Sequence, residues 1–397
     1  VKKKILFVIN SLECGGAEKS LLSLLSLIDF KKYDVYLQMF SFGGLFESLL
    51  PHEVIVLPLN LYLTFCKKSM VQQLVSFNFK YLSARLAVKK NLIKNQKAGM
   101  PLHISQAYWK GCGKVFEPLN EEYDVAIAWG QGNPTHFVAE KVKAKKKIAW
   151  INADYGEVGY SREFDEAYYS AYNNIVCVSD MLSDKIKEIF PQYADRLLTI
   201  FDINNPDLVK KMSEEENKLP EKREGVLRLV TTGRLVQQKG YDIAVKAAGL
   251  LKERNVKFEW FVIGEGTERK KIEHDIQRFD LSECFFLMGA QSNPYPIMKS
   301  ADIYVQTSKS EGFCITLTEA RMLNKPCVTT NFDVVYNQII DEKNGLIVEM
   351  NADGVADGIQ RLMNDKGLYK NIEQYIINEK KGNVDEIEKL YKLISTN

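Results

Sequence analysis

The chain has 397 residues, 46% hydrophobic and 26% charged, with 53 basic residues against 51 acidic; at about 150 residues per domain this suffices for two or three cores and excludes disordered and fibrous classes. No run of about 18 uncharged apolar residues occurs, and the first apolar stretch turns polar at Asn10, too soon for a signal-peptide core, so secretion and membrane spanning are not expected. The seven cysteines are scattered without a C-x-x-C pair, which argues against a zinc site or a disulfide framework and fits a cytoplasmic protein.

Short β-branched or apolar runs at 4–9, 34–40, 53–57, 124–129, 147–151 and 174–179 read as buried strands alternating with helical patterns, which predicts parallel α/β architecture. Between the third and fourth runs, residues 61–118 hold ten Lys/Arg and one Glu. The cations are interleaved with Phe65, Phe77, Phe79, Tyr81, Tyr108, Trp109 and Phe116. Two readings fit: a solvated helix pair whose rings face a core, or an amphipathic surface for anionic lipid in which Trp109, Phe65 or their neighbours add apolar contact. No nucleic-acid motif accompanies the charge, so no nucleic-acid partner is expected.

Turn formers at 201–207 and a charged stretch at 213–224 break the α/β pattern. This places an N-terminal domain at 1–205 and begins a second series of strands at 227–232, 258–263, 284–288, 302–307, 327–330 and 345–349 in a domain at 206–370. The tail 371–397 reads as helical and charged, expected to cap or bridge by packing back toward the N-terminal domain. Two Rossmann-like domains are the economical reading.

Glycine-rich turns follow several of these strands: Gly15 and Gly16 after the first, Gly233-Arg234 after 227–232, Gly264-Glu265-Gly266 after 258–263, and Gly289 after 284–288. Open α/β sheets bind ligands at these carboxyl ends, although a tight strand-to-helix turn needs glycine anyway. Neither G-x-G-x-x-G nor a Walker A lysine loop is present, which argues against a dinucleotide oxidoreductase and a P-loop NTPase. The densest signal lies at 301–320: a strand, a polar turn, and a helix predicted to start near Ile315. Glu311 and Glu319 bracket that helix start, where backbone amides can hold an anion and carboxylates can accept hydrogen bonds from sugar hydroxyls. A surface helix would also favour a Glu near its N-terminus, so the two carboxylates alone leave both readings open.

Glu311-Gly312-Phe313 followed by Glu319, with an Ala-Asp strand before it and Asn324-Lys325-Pro326 after it, resembles the E-x(7)-E signature of retaining glycosyltransferases of the glycosyl transferase group 1 family. Residues 233–240 resemble that family's basic diphosphate loop, 264–266 its next strand end, and 10–18 its N-domain glycine loop. The resemblance implies the GT-B fold, two Rossmann-like domains facing each other across a cleft. It also implies transfer of a sugar from a nucleotide diphosphate sugar, UDP-linked, to a glycan or lipid-linked acceptor in bacterial surface polysaccharide synthesis.

In that family Arg234 and Lys239 would neutralise the diphosphate and Glu319 would hold the ribose. Glu311 would contact the transferring sugar, helped by the amides of Gly312, Phe313 and Cys314; Gly233, Gly264 and Gly289 complete the donor loops. No cofactor is implied, since the nucleotide sugar is a substrate. No metal is implied either: the chain has no Asp-x-Asp, so two cations and helix N-termini would stabilise the leaving diphosphate. Gly15, Gly16, Asn152, Asp154 and His136 are the candidate acceptor residues. Capsule and lipopolysaccharide relatives commonly carry His where this chain has Asn152. Asn cannot serve as a base near neutral pH, but front-face substitution, in which the diphosphate takes the acceptor proton, tolerates it. Two other readings are a catalytically weak partner subunit, for which Asn152 is the support, and a sugar-nucleotide epimerase, which the scarcity of His disfavours.

Overall fold

The computed structural model describes residues 2–395 apart from 14, 218 and 312. The chain divides into two units: one runs to Asp202 and takes in the tail from Asp385, the other comprises Ile203–Val384 with a short piece near residue 16. The sequence reading set the boundary at 205 and the start of the tail at 371.

Among the described residues the first unit carries a parallel seven-stranded sheet: β1 (Lys3–Ile9), β2 (Tyr33–Met39), β3 (Ile55–Val56), β4 (Glu122–Trp129), β5 (Lys143–Ile151), β6 (Asn174–Cys177) and β7 (Leu197–Thr199), in the order β3-β2-β1-β4-β5-β6-β7. The central strands are continuous apolar runs because helices and loops cover both faces of a parallel sheet; Ile5 to Val8 of β1 are wholly buried. At their ends Trp129 stacks on Trp150 at 4.3 Å. The terminal helix Ile387–Ser395 joins this sheet rather than extending from it. Tyr391 stacks on Tyr33, while Lys146 and Lys3 donate to the carbonyls of Leu393 and Ile394. Those carbonyls lack intrahelical partners at a helix C-terminus, and cations there also oppose the helix dipole.

The basic segment between β3 and β4 folds as four helices, Leu61–Cys66, Met70–Val75, Phe79–Lys97 and Ile104–Cys112. Asn60 and Asn78 cap the first and third through their side-chain oxygens, and His103 forms a capping box with Gln106. Phe65 and Trp109 do not face outward, contrary to the lipid-contact expectation. Phe65 packs on Tyr81 and Trp109 on Phe116, and all four rings are buried. Rings that close the gap between helices and sheet remove their area from water, which outweighs any surface role.

The second unit repeats the topology with β8 (Leu227–Thr232), β9 (Phe258–Ile263), β10 (Phe285–Leu287), β11 (Ile303–Gln306), β12 (Cys327–Thr330) and β13 (Leu346–Val348), ordered β10-β9-β8-β11-β12-β13 and parallel throughout. Its core joins Leu229, Trp260, Val262 and Val305 of the strands to Ala244, Ala248 and Leu251 of the helix Tyr241–Glu253. In both sheets the strand order reverses after its first three strands, so β1/β4 and β8/β11 flank the switch points where open α/β sheets leave a crevice.

Candidate functional site

The carboxyl ends of β8 and β11 bring together the residues singled out in the second half of the sequence. Lys239 ends a short 3-10 turn after β8 (Gln237–Lys239), and Glu311 lies in the loop after β11. The Lys239 ammonium donates to Glu311 Oε1 at 2.5 Å, with both side chains largely buried. Glu311 Oε1 also accepts from Ser308 Oγ at 2.5 Å and from Gln306 Nε2 at 3.3 Å. Oε2 takes no hydrogen bond among the described residues, so one carboxylate oxygen is anchored and the other is available. Gln306 is itself fixed: it donates to Ser308 at 2.6 Å and accepts from Tyr304, whose hydroxyl reaches the carbonyl of Thr232. The chain of bonds from β8 to Glu311 therefore has every intermediate group satisfied, the condition under which a buried polar network rigidifies a site.

The two loops are stitched along their backbones as well. Lys309 N–H donates to the Gln238 carbonyl at 2.7 Å, and Thr307 Oγ1 to that of Lys239 at 3.0 Å. Such an approach requires Gly240, which sits at φ +65° where a Cβ would overlap the Thr307 carbonyl oxygen. Gly264 is required for the same reason, because a Cβ there would overlap the carbonyl of Gly233. Gly289 accepts the Gly264 amide proton at 2.9 Å, and so ties the third strand end to the same rim. Arg234, next to Gly233, is exposed and has no ion-pair partner among the described residues.

The helix predicted to start near Ile315 spans Ile315–Met322. Its cap residue, Cys314, lies in the left-handed region at φ 64° and gives no side-chain cap, so the first-turn amides have no side-chain acceptor there. A non-glycine residue in that region stores about 1–3 kcal/mol of strain. The loop is held by Gln338, whose amide donates to the carbonyls of Phe313 and Cys314 and whose oxygen accepts from Thr318 at 2.6 Å. Burial pushes the Cys314 thiol well above the ordinary cysteine range, so it is no nucleophile. Glu319 is buried one turn into the helix, with Oε1 accepting from Tyr295 at 2.7 Å. Gly312 lies outside the described residues.

Sequence reasoning did not single out Gln306, Ser308, Tyr295 or Gln338. The first two carried a readable signal, polar residues at the end of an otherwise apolar buried strand. Gln338 carried none, since it is brought back to the loop only by the tertiary fold.

Gly15 and Gly16 follow β1, and Gly16 opens the helix Gly16–Leu25. Asn152 and Asp154 follow β5. Asn152 N–H donates to Gln131 Oε1, while both polar atoms of its own side chain are buried with no hydrogen-bond partner among the described residues. Unsatisfied buried amide atoms cost about 1–3 kcal/mol. Asp154 pairs with Lys185 at 2.5 Å.

His136 does not line a binding surface as expected. It is fully buried in the helix Asn133–Lys141, its Nε2 lies 2.7 Å from Asp165 Oδ1, and Trp109, Phe164 and Tyr168 surround its ring. An imidazole whose proton bond is spent inside an aromatic core has a structural task.

Residues 212–379 match the family described as glycosyl transferases group 1. An uncharacterized glycosyltransferase from Methanocaldococcus jannaschii is 23% identical over 277 residues, covering 65% of this chain and 68% of that protein. A UDP-Gal:alpha-D-GlcNAc-diphosphoundecaprenol alpha-1,3-galactosyltransferase from Escherichia coli is 26% identical over 226 residues, covering 54% of this chain and 57% of that enzyme, less than two thirds of its length. The crystal structure of HepE from Anabaena in complex with UDP and glucose superposes with a TM-score of 0.68 over 99% of both chains at 15% identity; at that identity the likeness establishes the fold, which is GT-B. The segment similar to glycosyl transferases group 1 is less than half of the chain but holds both Lys239 and Glu311, and with these relatives the chain is a glycosyltransferase.

Proposed function

We propose that the chain moves a sugar from a UDP-linked donor to a glycan or lipid-linked acceptor in the assembly of a cell-surface polysaccharide, with retention of configuration and without a metal. The observation that carries this reading is the Lys239–Glu311 pair at the switch point of the second sheet, beside an exposed Arg234 and a helix start without a side-chain cap. Positive charge from Arg234, Lys239 and first-turn amides is what a departing diphosphate needs, because charge develops on it as the glycosidic bond breaks. Glu311 offers its unengaged oxygen to hydroxyls of the transferring sugar, and Glu319 accepts from the ribose. The Asn152 amide recognises the acceptor. Front-face substitution leaves the diphosphate to take the acceptor proton, so no protein base is required. Support for the donor and acceptor classes comes from the name of the Escherichia coli relative and from the UDP in the HepE structure.

An assay with several UDP- and other nucleotide sugars, separating transfer, donor hydrolysis and epimerisation, tests the reading; epimerisation alone, or no turnover with any donor, overturns it. Glu319→Ala is expected to weaken UDP binding by about 1–3 kcal/mol, the worth of a charged hydrogen bond. Equal affinities by calorimetry for wild type and variant would remove Glu319 from the ribose. Activity is expected to persist in EDTA, and loss of turnover that magnesium or manganese restores would refute the metal-free arrangement.

A further inference from the structure

Once the buried rings of the basic segment are set aside, a second set of apolar residues remains on its outside. The helix Phe79–Lys97 buries one face through Tyr81, Ala84, Val88 and Asn95. At about 3.6 residues per turn, Phe79, Leu86, Lys90, Ile93, Lys94 and Lys97 fall together on the opposite face, and each is exposed. Leu86 and Ile93 line a shallow depression with Lys89, Lys90, Lys94 and Lys97. Just ahead of this helix Met70, Val71, Val75 and Phe77 are also exposed, Phe77 by 74%, with its ring edge-on to Phe79 at 6.5 Å. All ten Lys/Arg of the segment 61–118 are exposed, while its one acid, Glu117, is half-buried and accepts from the Tyr81 hydroxyl.

We propose that this face of the first unit docks on an anionic phospholipid bilayer, with Phe77, Phe79, Leu86 and Ile93 entering the headgroup boundary and the lysines of the same helix meeting the lipid phosphates. The inference stands apart from the donor site and does not depend on it. Exposed large apolar side chains cost free energy in water, and here they alternate with cations that keep the patch from collapsing on itself; an anionic interface satisfies both. A second copy of the chain fits less well, because a two-fold contact would set these unneutralised lysines against each other. A nucleic acid would use the cations and could stack on the two phenylalanines, but it has no use for Leu86, Ile93, Met70 or Val71.

Flotation of the purified full chain with vesicles tests the proposal, using phosphatidylcholine alone and phosphatidylcholine mixed with phosphatidylglycerol. Binding to the anionic vesicles is expected to exceed binding to the neutral ones by roughly tenfold or more and to fade as salt is raised from about 0.1 M to about 1 M. Replacing Lys89, Lys90, Lys94 and Lys97 together by Gln is expected to lower the anionic partition roughly tenfold or more. Phe77→Ser with Phe79→Ser should lower it severalfold at unchanged salt dependence. All six side chains are exposed, so the melting temperature of each variant should match wild type and exclude misfolding as the cause. Equal capture by both vesicle types, no capture by either, or lysine variants that bind like wild type each overturn the proposal. So does a concentration-dependent dimer in sedimentation velocity that the phenylalanine variant abolishes without any vesicle binding, or binding of a single-stranded oligonucleotide with no vesicle binding.

Discussion

Lys239→Ala is expected to lower kcat for sugar transfer about 100- to 1,000-fold, the cost of removing one preorganised charge from a developing oxyanion. Lys239 is largely shielded from solvent beside Glu311, where a charge acts through a lower dielectric than in water and is worth correspondingly more. Arg234 would remain, but it is exposed, so it cannot take over the charge at the same strength. Lys239→Arg is expected to restore only part of the rate, since a planar fork does not reproduce a point charge held against Glu311. A purely structural lysine would behave otherwise: its loss would leave Glu311 unpaired and lower the melting temperature of the second unit, with kcat of the folded fraction unchanged. Measuring kcat together with thermal unfolding separates the two, and a folded variant with kcat within about fivefold of wild type would contradict the diphosphate assignment.

Much of the α/β arrangement was legible because parallel strands buried on both faces are written as continuous apolar runs, and β8, β9 and β12 have the limits that the pattern predicts. β7 was missed because its three residues are only partly buried at the sheet edge, where no such run is demanded. The helix start at Ile315 was legible from the polar turn ahead of it, but the left-handed conformation of Cys314 was not, because it is imposed by Gln338 from a segment more than twenty residues away. The pairing of Lys239 with Glu311 was likewise hidden: two residues far apart in sequence meet only because β8 and β11 are neighbours in the sheet. The aromatic segment shows the opposite failure. Composition cannot tell an inward ring from an outward one, and the helical phase that separates Tyr81 from Phe79 becomes usable only once the Asn78 cap fixes where the helix begins.

His136→Ala is expected to destabilise the first unit by about 3–5 kcal/mol, because it strips a buried carboxylate of one of its two partners. Asp165 is buried, held by His136 Nε2 on one oxygen and by the Tyr155 hydroxyl at 2.5 Å on the other. Tyr155 alone cannot compensate the charge, and the vacated ring site among Trp109, Phe164 and Tyr168 adds a cavity. For a unit of this size the melting temperature should fall on the order of 10 °C. His136→Gln returns a donor to the same region and is expected to recover part of the loss, since the hydrogen bond to Asp165 rather than the imidazole itself is what the core requires. Had His136 served the acceptor, the alanine variant would instead raise the acceptor KM while leaving the melting curve in place. A transition unchanged within about 2 °C, with a raised acceptor KM, would return His136 to the binding surface.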